Sequence, residues 1–351
     1  MSPGKKKHLL VLGAQVPFVK GGAEFLNEGL IDFINQNVSN VSAELVNLPF
    51  KWYPETQLIN DILAWRFLDL SESNGTPIDL VIGTKFPSYA AVHPNKVIWL
   101  VHQHRTLYDL EGTEYDYHRN VVVRNKVREI DTTFLNEART VKTISSTVSE
   151  RLRRYNGIAS EVLYPPSKYC REIGPGPYGD YVLFFGRLEK IKRPDLLLNA
   201  GAASAKRVRL CFAGDGPLRT ELEAMAVKLG IEDRCRFLGF LPDAELIGTL
   251  RGARAVFYAP FDEDYGYAAV EAFQAEKPVI TCSDSGEVAT LVRQTGAGWV
   301  VEPSPAAVAE CLNQVAVMIP GELETLCGVG AEMAHGVTWN KVYSALIEPY
   351  L

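Results

Sequence analysis

The stretch YVLFFGRLEKIKRPDLLLNA, residues 181–200, contains the pattern that decides the fold. It begins with a near-continuous apolar run, passes through a basic loop and ends in a segment whose leucines favour a helix. A near-continuous apolar run is typical of a parallel strand that helices cover on both faces, because neither face then meets water. The stretch therefore predicts one strand–loop–helix unit of an α/β protein.

The same pattern recurs along the chain, in two halves. Helical patterns separate the apolar runs, and such alternation builds doubly wound sheets. We therefore predict two Rossmann-like doubly wound α/β domains that face a cleft at the carboxyl ends of both sheets, where ligands of such sheets bind. The predicted strands are 8–14, 43–48, 78–84, 96–102, 140–146 and 160–165 in the first half and 181–188, 207–214, 234–240, 253–260, 277–282 and 298–303 in the second.

The boundary between the domains is predicted in LYPPSKYCREIGPGPYGDY, residues 163–181. Two adjacent prolines and a Gly-Pro-Gly-Pro run fit neither a helix nor a central strand. We assign 1–165 to the first domain and 166–336 to the second. The terminal segment 337–351 has an amphipathic helical pattern, and we expect it to pack back on the first domain.

Composition excludes several classes of protein. The 351 residues carry a net charge of −6, which argues against nucleic acid as the main partner because its phosphates are negative. No uninterrupted apolar stretch reaches the length of about 18 residues that spans a bilayer. The six cysteines form no C-x-x-C pair, which predicts neither a zinc site nor a disulfide framework and favours the reducing cytoplasm.

Two cations follow the strand of the opening stretch. Arg187 leaves the strand directly, and Lys192 follows five positions later, ahead of a helix. A planar guanidinium and a compact ammonium at the carboxyl end of a strand can clamp a diphosphate. The alternative is that the loop carries both cations only for solubility.

A second candidate segment is FDEDYGYAAVEAF, residues 261–273, after the predicted strand 253–260. Gly266 opens a helix, whose free N–H groups attract anions, and glycine lets a ligand approach closely. We expect Glu263 to point into the cleft and Glu271 to bind vicinal hydroxyls such as a ribose diol. The alternative reading is that Glu263 only favours the helix dipole and that Glu271 faces solvent. The apolar neighbours of Glu271 make the solvated role the weaker interpretation.

Other candidates also follow strands. Gly21 and Gly22 open a helix suited to a phosphate, without the G-x-G-x-x-G pattern of dinucleotide enzymes. His102 and His104 stand where a strand leaves toward the cleft, but no further ligand cluster indicates a metal. After strand 234–240, the backbone groups of Phe240 and Leu241 are candidates for reading a flat base.

Four segments together make the chain resemble GT-B glycosyltransferases, specifically the retaining family 4. They are GGAE (21–24), GRLEKIKRPDLLL (186–198), GDGP (214–217) and EDYGYAAVE (263–271), the last with the family's glutamate–seven–glutamate spacing. The resemblance covers nearly the whole chain and is strongest over 181–303. It implies a nucleotide-sugar enzyme with no catalytic metal, so the DED triplet at 262–264 is not taken as a metal site.

The resemblance also implies how the donor is held. Arg187 and Lys192 would bind the donor diphosphate, and Glu271 the ribose hydroxyls. Gly22 would contact phosphate from the other domain. Three positions depart from the family pattern, and we expect them to alter sugar choice without removing activity: Arg193 where a glycine is usual, Tyr265 beside Gly266, and Glu287 where a second glycine is common.

The transferred sugar has its own implied contacts. Glu263 would bind its hydroxyls, helped by backbone amides around Gly266 and Tyr267. His102, or otherwise His104, would touch the sugar near the reacting carbon, and His104 is the candidate on the acceptor side. The residues predicted to act in catalysis are thus Glu263, His102, Arg187 and Lys192.

The prediction is a retaining glycosyltransferase (a hexosyltransferase) that moves a sugar from a UDP- or GDP-linked donor to a saccharide or lipid-linked saccharide in surface glycan synthesis. The alternatives are a sugar-phosphate synthase of the same fold and a non-catalytic module that binds nucleotide sugars. A cytoplasmic location is expected. Peripheral contact with the inner membrane face is a further hypothesis, resting on a basic face of Lys5, Lys6, Lys7, Arg119, Arg124, Lys126 and Arg128, for which a solvated surface is the alternative.

Overall fold

A computed structural model describes residues 6–118 and 120–351. They form two compact units: unit 1 extends to Lys168 and includes Thr338–Leu351, and unit 2 comprises Tyr169–Val337. The first boundary thus falls three residues after the position assigned from the sequence, 165, and the second one residue after 336.

Unit 1 contains a parallel sheet with the strand order β2-β1-β5-β6-β7-β8, and the hairpin β3–β4 lies outside it. The order reverses between β1 and β5, so the unit has a topological switch point there. Its elements up to residue 168 are β1 (Lys7–Gln15), α1 (Gly22–Asn37), β2 (Val41–Pro49), α2 (Gln57–Arg66), β3 (Glu72–Ser73), β4 (Thr76–Pro77), β5 (Leu80–Lys85), β6 (Lys96–His102), α3 (Val121–Asn136), β7 (Thr140–Thr143), α4 (Ser146–Asn156) and β8 (Glu161–Val162).

Unit 2 contains a parallel sheet with the order β11-β10-β9-β12-β13-β14, and its switch point lies between β9 and β12. This is the strand order of dinucleotide-binding Rossmann folds. Its elements are β9 (Tyr181–Phe185), α5 (Pro194–Ala203), β10 (Arg209–Ala213), α6 (Arg219–Lys228), β11 (Cys235–Gly239), α7 (Asp243–Arg251), β12 (Ala255–Phe257), α8 (Tyr267–Gln274), β13 (Val279–Cys282), α9 (Glu287–Thr295), β14 (Gly298–Val301), α10 (Pro305–Val317) and α11 (Pro320–His335).

The predicted pair of doubly wound parallel sheets is confirmed. The central strands of unit 2 are apolar on both faces, and Phe184, Phe212 and Phe257 are fully buried. Helices on both sides of the sheet account for this burial, since they shield each face from water. The last helix, α12 (Trp339–Leu346), belongs to unit 1, where Trp339 lies against Gly29 of α1 and, edge-on, against Trp99.

Three local predictions are corrected. The strand predicted at 140–146 ends at Thr143, because the Ser145 hydroxyl accepts a hydrogen bond from the amide of Val148 at 3.1 Å and starts α4. The strand predicted at 160–165 is shorter, since β8 comprises only Glu161–Val162. The hairpin β3–β4 turns at Asn74–Gly75, both in the left-handed region, which is a turn signal that the strand pattern did not include.

The structure separates two described members of the predicted basic face. Lys5 and Arg119 lie outside the described residues. Lys7 begins β1 at the amino edge of the sheet, whereas Arg124 is in the first turn of α3, at the opposite edge. Arg124 is 5% exposed and pairs with Glu111 at 2.8 Å, so its charge is enclosed by the protein. Within residues 6–118 and 120–351, each helix is too short or too polar to cross a bilayer.

Candidate functional site

The switch point of unit 2 brings together residues that are about 70 positions apart in the chain. Lys192 ends a short 3-10 helix after β9, and Glu263 lies in the loop after β12. Because β9 and β12 are neighbours, the loops after their carboxyl ends meet. The Lys192 ammonium forms an ion pair with the Glu263 carboxylate and donates a hydrogen bond to the Tyr258 hydroxyl at 3.1 Å.

The surroundings of Lys192 keep it charged. Burial opposes the ammonium charge, but the Glu263 carboxylate and the Tyr258 hydroxyl more than compensate and hold the pKa of Lys192 above its ordinary value. The same burial, with the charge of Glu263, raises the pKa of Tyr258. The site therefore presents a fixed cation beside a carboxylate at neutral pH. Tyr258 was not singled out from the sequence, since a tyrosine that ends an apolar strand reads as part of the core.

Arg187 lies on the same segment as Lys192 but has a different partner. Its side chain is 59% exposed and its guanidinium pairs with Glu189 at 2.7 Å. The structure thus places both predicted cations after β9, next to the start of α5. An exposed ion pair of this kind contributes little to stability, so the arginine is available to an anionic ligand at small energetic cost.

Gly266 is required by the backbone itself. It precedes α8 with φ of +87°, and a Cβ at this position would meet the Val288 side chain at 2.3 Å. The sequence suggested that the glycine lets a ligand approach. The structure shows in addition that the left-handed turn into α8 and the packing on Val288 need it.

Gly266→Ala is therefore expected to lower the free energy of unfolding by about 2–4 kcal/mol, through a strained φ together with overpacking. Urea denaturation measures this. The matched control is Gly248→Ala on α7, where a Cβ meets nothing within 4 Å and φ is not left-handed. That change is expected to be neutral or to stabilise by up to about 1 kcal/mol. Equal stabilities of the two variants would contradict this account of Gly266.

Glu271 does not face solvent. It is 7% exposed, in a helix that is buried from Ala268 to Gln274, so the solvated reading is wrong. Burial raises the pKa of Tyr267, one turn earlier in the helix, and the charge of Glu271 raises it further. Burial, the Asp243 carboxylate and the charge of Glu271 likewise raise the pKa of Tyr169, whose hydroxyl donates to Asp243 at 2.7 Å. The charge of Glu271 thus acts on Tyr169. The sequence did not reveal this coupling, because Glu271, Tyr169 and Asp243 come from three distant segments.

Phe240 and Leu241 follow β11, at the edge of the sheet. The Phe240 side chain is 81% exposed, whereas Leu241 is half-buried. Two strand spacings, about 10 Å, separate β11 from β9 at the switch point. The structure therefore places the candidate base-reading residues away from the Lys192–Glu263 pair, as one end of an extended ligand would require.

In unit 1 an ion pair connects the helix that begins at Gly22 to the strand beside His102. Gly22 is the exposed first residue of α1, and Glu24 in the same turn pairs with Lys85 at 2.5 Å. Lys85 ends β5 and is in register with His102, the last residue of β6. The Glu24–Lys85 pair is 13% exposed on each side and joins the helix start to the strand ends. Neither residue was identified from the sequence.

His104 lies among aromatic rings. The Phe50 and Phe86 rings pack against it with centroids 5.9 and 5.5 Å away, and its Nε2 lies 2.7 Å from Nε2 of His118. Burial, followed by the proximity of His118, lowers the pKa of His104 to about 3. It is a neutral imidazole at physiological pH, and His118 is a partner that the sequence did not indicate. His102, in contrast, is half-buried, with Nδ1 2.9 Å from the carbonyl oxygen of Gln103.

The low pKa of His104 predicts acid sensitivity. Its folded-state pKa lies below the ordinary 6.5, so between pH 6.5 and 3 the unfolded chain binds more protons and stability falls as the pH falls. The loss is absent above about pH 6.5 and is expected to reach about 2 kcal/mol at pH 5. Urea denaturation at pH 7 and pH 5 should show a smaller acid loss in His104→Gln than in the unaltered protein. An identical acid loss in both would contradict the role of His104.

Metal ligation has no support in the described residues, among which no group of three or more His, Cys, Asp or Glu side chains is arranged to hold an ion. The absence of a metal requirement stays a prediction that a chelator assay can test.

Part of the chain is similar in sequence to known proteins. Residues 173–317 match the family model Glycosyl transferases group 1. A D-inositol 3-phosphate glycosyltransferase of Salinispora arenicola is 31% identical over 195 residues, 51% of this chain and 43% of that protein. The protein of the same name from Corynebacterium glutamicum is 35% identical over 152 residues, 40% of this chain and 36% of its own. The chain spans about half the length of the curated relatives it matches.

Solved structures resemble the chain over almost its full length. Sucrose-phosphate synthase from Thermosynechococcus elongatus has a TM-score of 0.76 at 15% identity and covers 97% of both chains. Anabaena HepE, solved with UDP and glucose, has a TM-score of 0.70 at 18% identity and covers 96% of this chain and 99% of its own. The fold is thus the GT-B fold, and residues 173–317 of unit 2 are similar to the Glycosyl transferases group 1 family. The proteins and the family model that match in sequence are those of transferases.

Proposed function

We propose that this chain is a retaining glycosyltransferase of family 4 that takes a sugar from a UDP- or GDP-linked donor and transfers it to a saccharide or lipid-linked saccharide. One observation carries the proposal: at the switch point of unit 2, a cation and a carboxylate from two neighbouring strands meet as the Lys192–Glu263 pair. A ligand with an anionic diphosphate and a hydroxylated sugar matches both groups. The group 1 family match over residues 173–317 supports the same reading.

The proposal assigns each donor contact to a side chain. The ammonium of Lys192 and the guanidinium of Arg187 hold the diphosphate. The buried carboxylate of Glu271 accepts hydrogen bonds from the ribose hydroxyls, near Tyr169. Glu263 holds hydroxyls of the transferred sugar, while Phe240 and Leu241 contact the base.

The proposed reaction breaks the bond between the anomeric carbon and the diphosphate oxygen. The carbon gains positive charge as the electron pair leaves with the diphosphate, and the cations stabilise that leaving charge. The acceptor oxygen then bonds to the same face of the sugar, and its proton passes to the departing phosphate. No side chain serves as nucleophile in this route, which suits a site whose carboxylate, Glu263, is paired with Lys192. His102 is proposed to lie near the reacting carbon, with Gly22 at the phosphate.

A panel of nucleotide sugars tests the proposal. A donor that binds only the folded state raises the melting temperature, so UDP- and GDP-linked sugars are compared at equal concentration. UDP-glucose is tried first, because a solved structure of HepE contains it. The stabilising donor is then incubated with candidate acceptors, and the anomeric configuration of the product is read by NMR. Inversion at the anomeric carbon would exclude the retaining mechanism.

The alternative of a binding module that lacks catalysis is separated by donor hydrolysis. A glycosyltransferase slowly hydrolyses its donor when water replaces the acceptor, whereas a binding module releases no sugar. A sugar-phosphate synthase would be revealed by a preference for phosphorylated acceptors. The cytoplasmic location, the contact with the inner membrane face and the link to surface glycans stay predictions from the sequence.

A further inference from the structure

Arg193, the residue after Lys192, joins two loops of unit 2. Its guanidinium donates hydrogen bonds to the carbonyl oxygens of Ala259 and Pro260 at 2.7 and 3.1 Å, in the loop after β12. In the loop after β13 it binds both carboxylate oxygens of Asp284, at 2.7 and 2.9 Å, and donates to the Ser285 hydroxyl at 3.3 Å. A planar guanidinium suits such a site, since its donors point in several fixed directions at once.

The two loops are also bonded to each other next to Glu263. The Asp262 amide donates to the Asp284 carbonyl oxygen at 2.8 Å, and the Glu287 amide donates to the Glu263 carbonyl oxygen at 2.9 Å. The backbone of Glu263 therefore lies inside the segment that Arg193 holds. A shift of either loop would move the Glu263 carboxylate relative to Lys192.

The backbone of this region is held in an unfavourable conformation. Arg193 and Asp262 have φ of +52° and +44°, in the left-handed region that residues with a Cβ seldom adopt. Such conformations persist only where the surrounding contacts determine them. The contacts of the guanidinium are of this kind. They also explain how an arginine keeps the left-handed turn.

We propose that Arg193 is a positioning residue that fixes the loops after β12 and β13 and thereby sets Glu263 against Lys192 for turnover. The proposal rests on the proposed function for its catalytic consequence. It assigns Arg193 no contact with substrate. Arg193 acts through the placement of Glu263. Loss of the Arg193 side chain should therefore lower kcat more than it weakens donor binding.

Arg193→Gly is the decisive variant, because glycine accepts φ of +52° and only the guanidinium is lost. We expect kcat to fall about 10- to 100-fold, as displacements of about 1 Å do in other enzymes, with the donor KM changed by less than about threefold. Ethylguanidinium at about 50 mM should restore part of kcat by filling the vacated site. Ethylammonium at the same concentration should not, because it lacks the planar fork. A kcat within about threefold of the unaltered protein, or a loss that ethylguanidinium does not reverse, overturns the proposal.

Two controls accompany this variant. Arg207→Gly removes a guanidinium that pairs with Asp233 on the surface of unit 2, and it is expected to leave kcat unchanged with or without ethylguanidinium. Asp284→Asn weakens the same contacts from the other side and keeps the test open if Arg193→Gly fails to fold. As a single variant, Asp284→Asn should lower kcat. Combined with Arg193→Gly it should cause no further loss, since both changes remove the same interaction. Additive losses would contradict the proposal.

Hydrogen exchange separates this proposal from the proposed function. In Arg193→Gly the amides of Asp262 and Glu287, which bridge the two loops, should exchange faster than in the unaltered protein. This readout needs no substrate. If the unaltered protein turns over no donor, the proposed function fails and the exchange rates alone decide on Arg193. Unchanged exchange at both amides would overturn its positioning role.

Discussion

Lys192→Ala is expected to lower kcat for the nucleotide-sugar donor about 100- to 1000-fold, which is the usual cost of losing one preorganised charge at a reacting centre. The ammonium is held charged by Glu263 and Tyr258, at the switch point where the diphosphate is proposed to leave. Diphosphate binding should weaken as well, but by less, because charge on the leaving group is greatest in the transition state. Steady-state kinetics with the stabilising donor and calorimetry with the nucleoside diphosphate measure the two effects.

Two further variants define what the loss of Lys192 means. Lys192→Arg keeps the charge but replaces a compact ammonium by a planar fork, so only part of the activity should return. Lys228→Ala, an exposed lysine at the end of α6, is the matched control and should not change kcat. Kinetics in Lys192→Ala equal to those of the control would remove Lys192 from the site.

Glu271→Gln is expected to weaken binding of the nucleoside diphosphate about 10- to 100-fold. A hydrogen bond to a charged group contributes about 1.5–3 kcal/mol, and the substitution keeps the volume of a side chain that is 7% exposed. Binding is measured by calorimetry with UDP and GDP. Because kcat depends on groups at the diphosphate, it should fall much less than the affinity.

Deoxyribose ligands show whether the loss arises at the ribose. The unaltered protein should bind the 2′- or 3′-deoxy nucleoside diphosphate about as weakly as Glu271→Gln binds the ribose form. Glu271→Gln should bind the deoxy ligand with no further loss of affinity. The exposed Glu245→Gln on α7 serves as the control and should bind normally. A full affinity of Glu271→Gln for the ribose ligand would contradict the assignment.

Several candidate residues could be predicted from the sequence because each directly follows an apolar strand. Arg187, Lys192 and Glu263 stand at carboxyl ends of strands, where an open parallel sheet binds ligands. Gly266 could be predicted because a glycine before a helix is a local signal. The position of the buried Glu271 was read from its apolar neighbours. In each case the information lies within about ten residues of chain.

The partners of these residues could not be predicted in the same way. Tyr258 looks like a core tyrosine and Asp284 like an ordinary loop charge, and only the strand order brings them beside Lys192 and Arg193. Burial was misjudged for the same reason. Arg124 appeared to be a surface cation, but it is enclosed with Glu111 and Asp116.

The amino-acid sequence by itself determined two doubly wound parallel sheets and the loops that carry the candidate site, because hydrophobic period and turn chemistry are properties of neighbouring residues. The tertiary structure alone decided which charges pair. The pairing of Lys192 with Glu263, and the clamp that Arg193 makes on two loops, depend on β9 and β12 lying side by side. That adjacency is a property of the packed sheet, since contacts between distant segments are set by chain topology and not by local pattern.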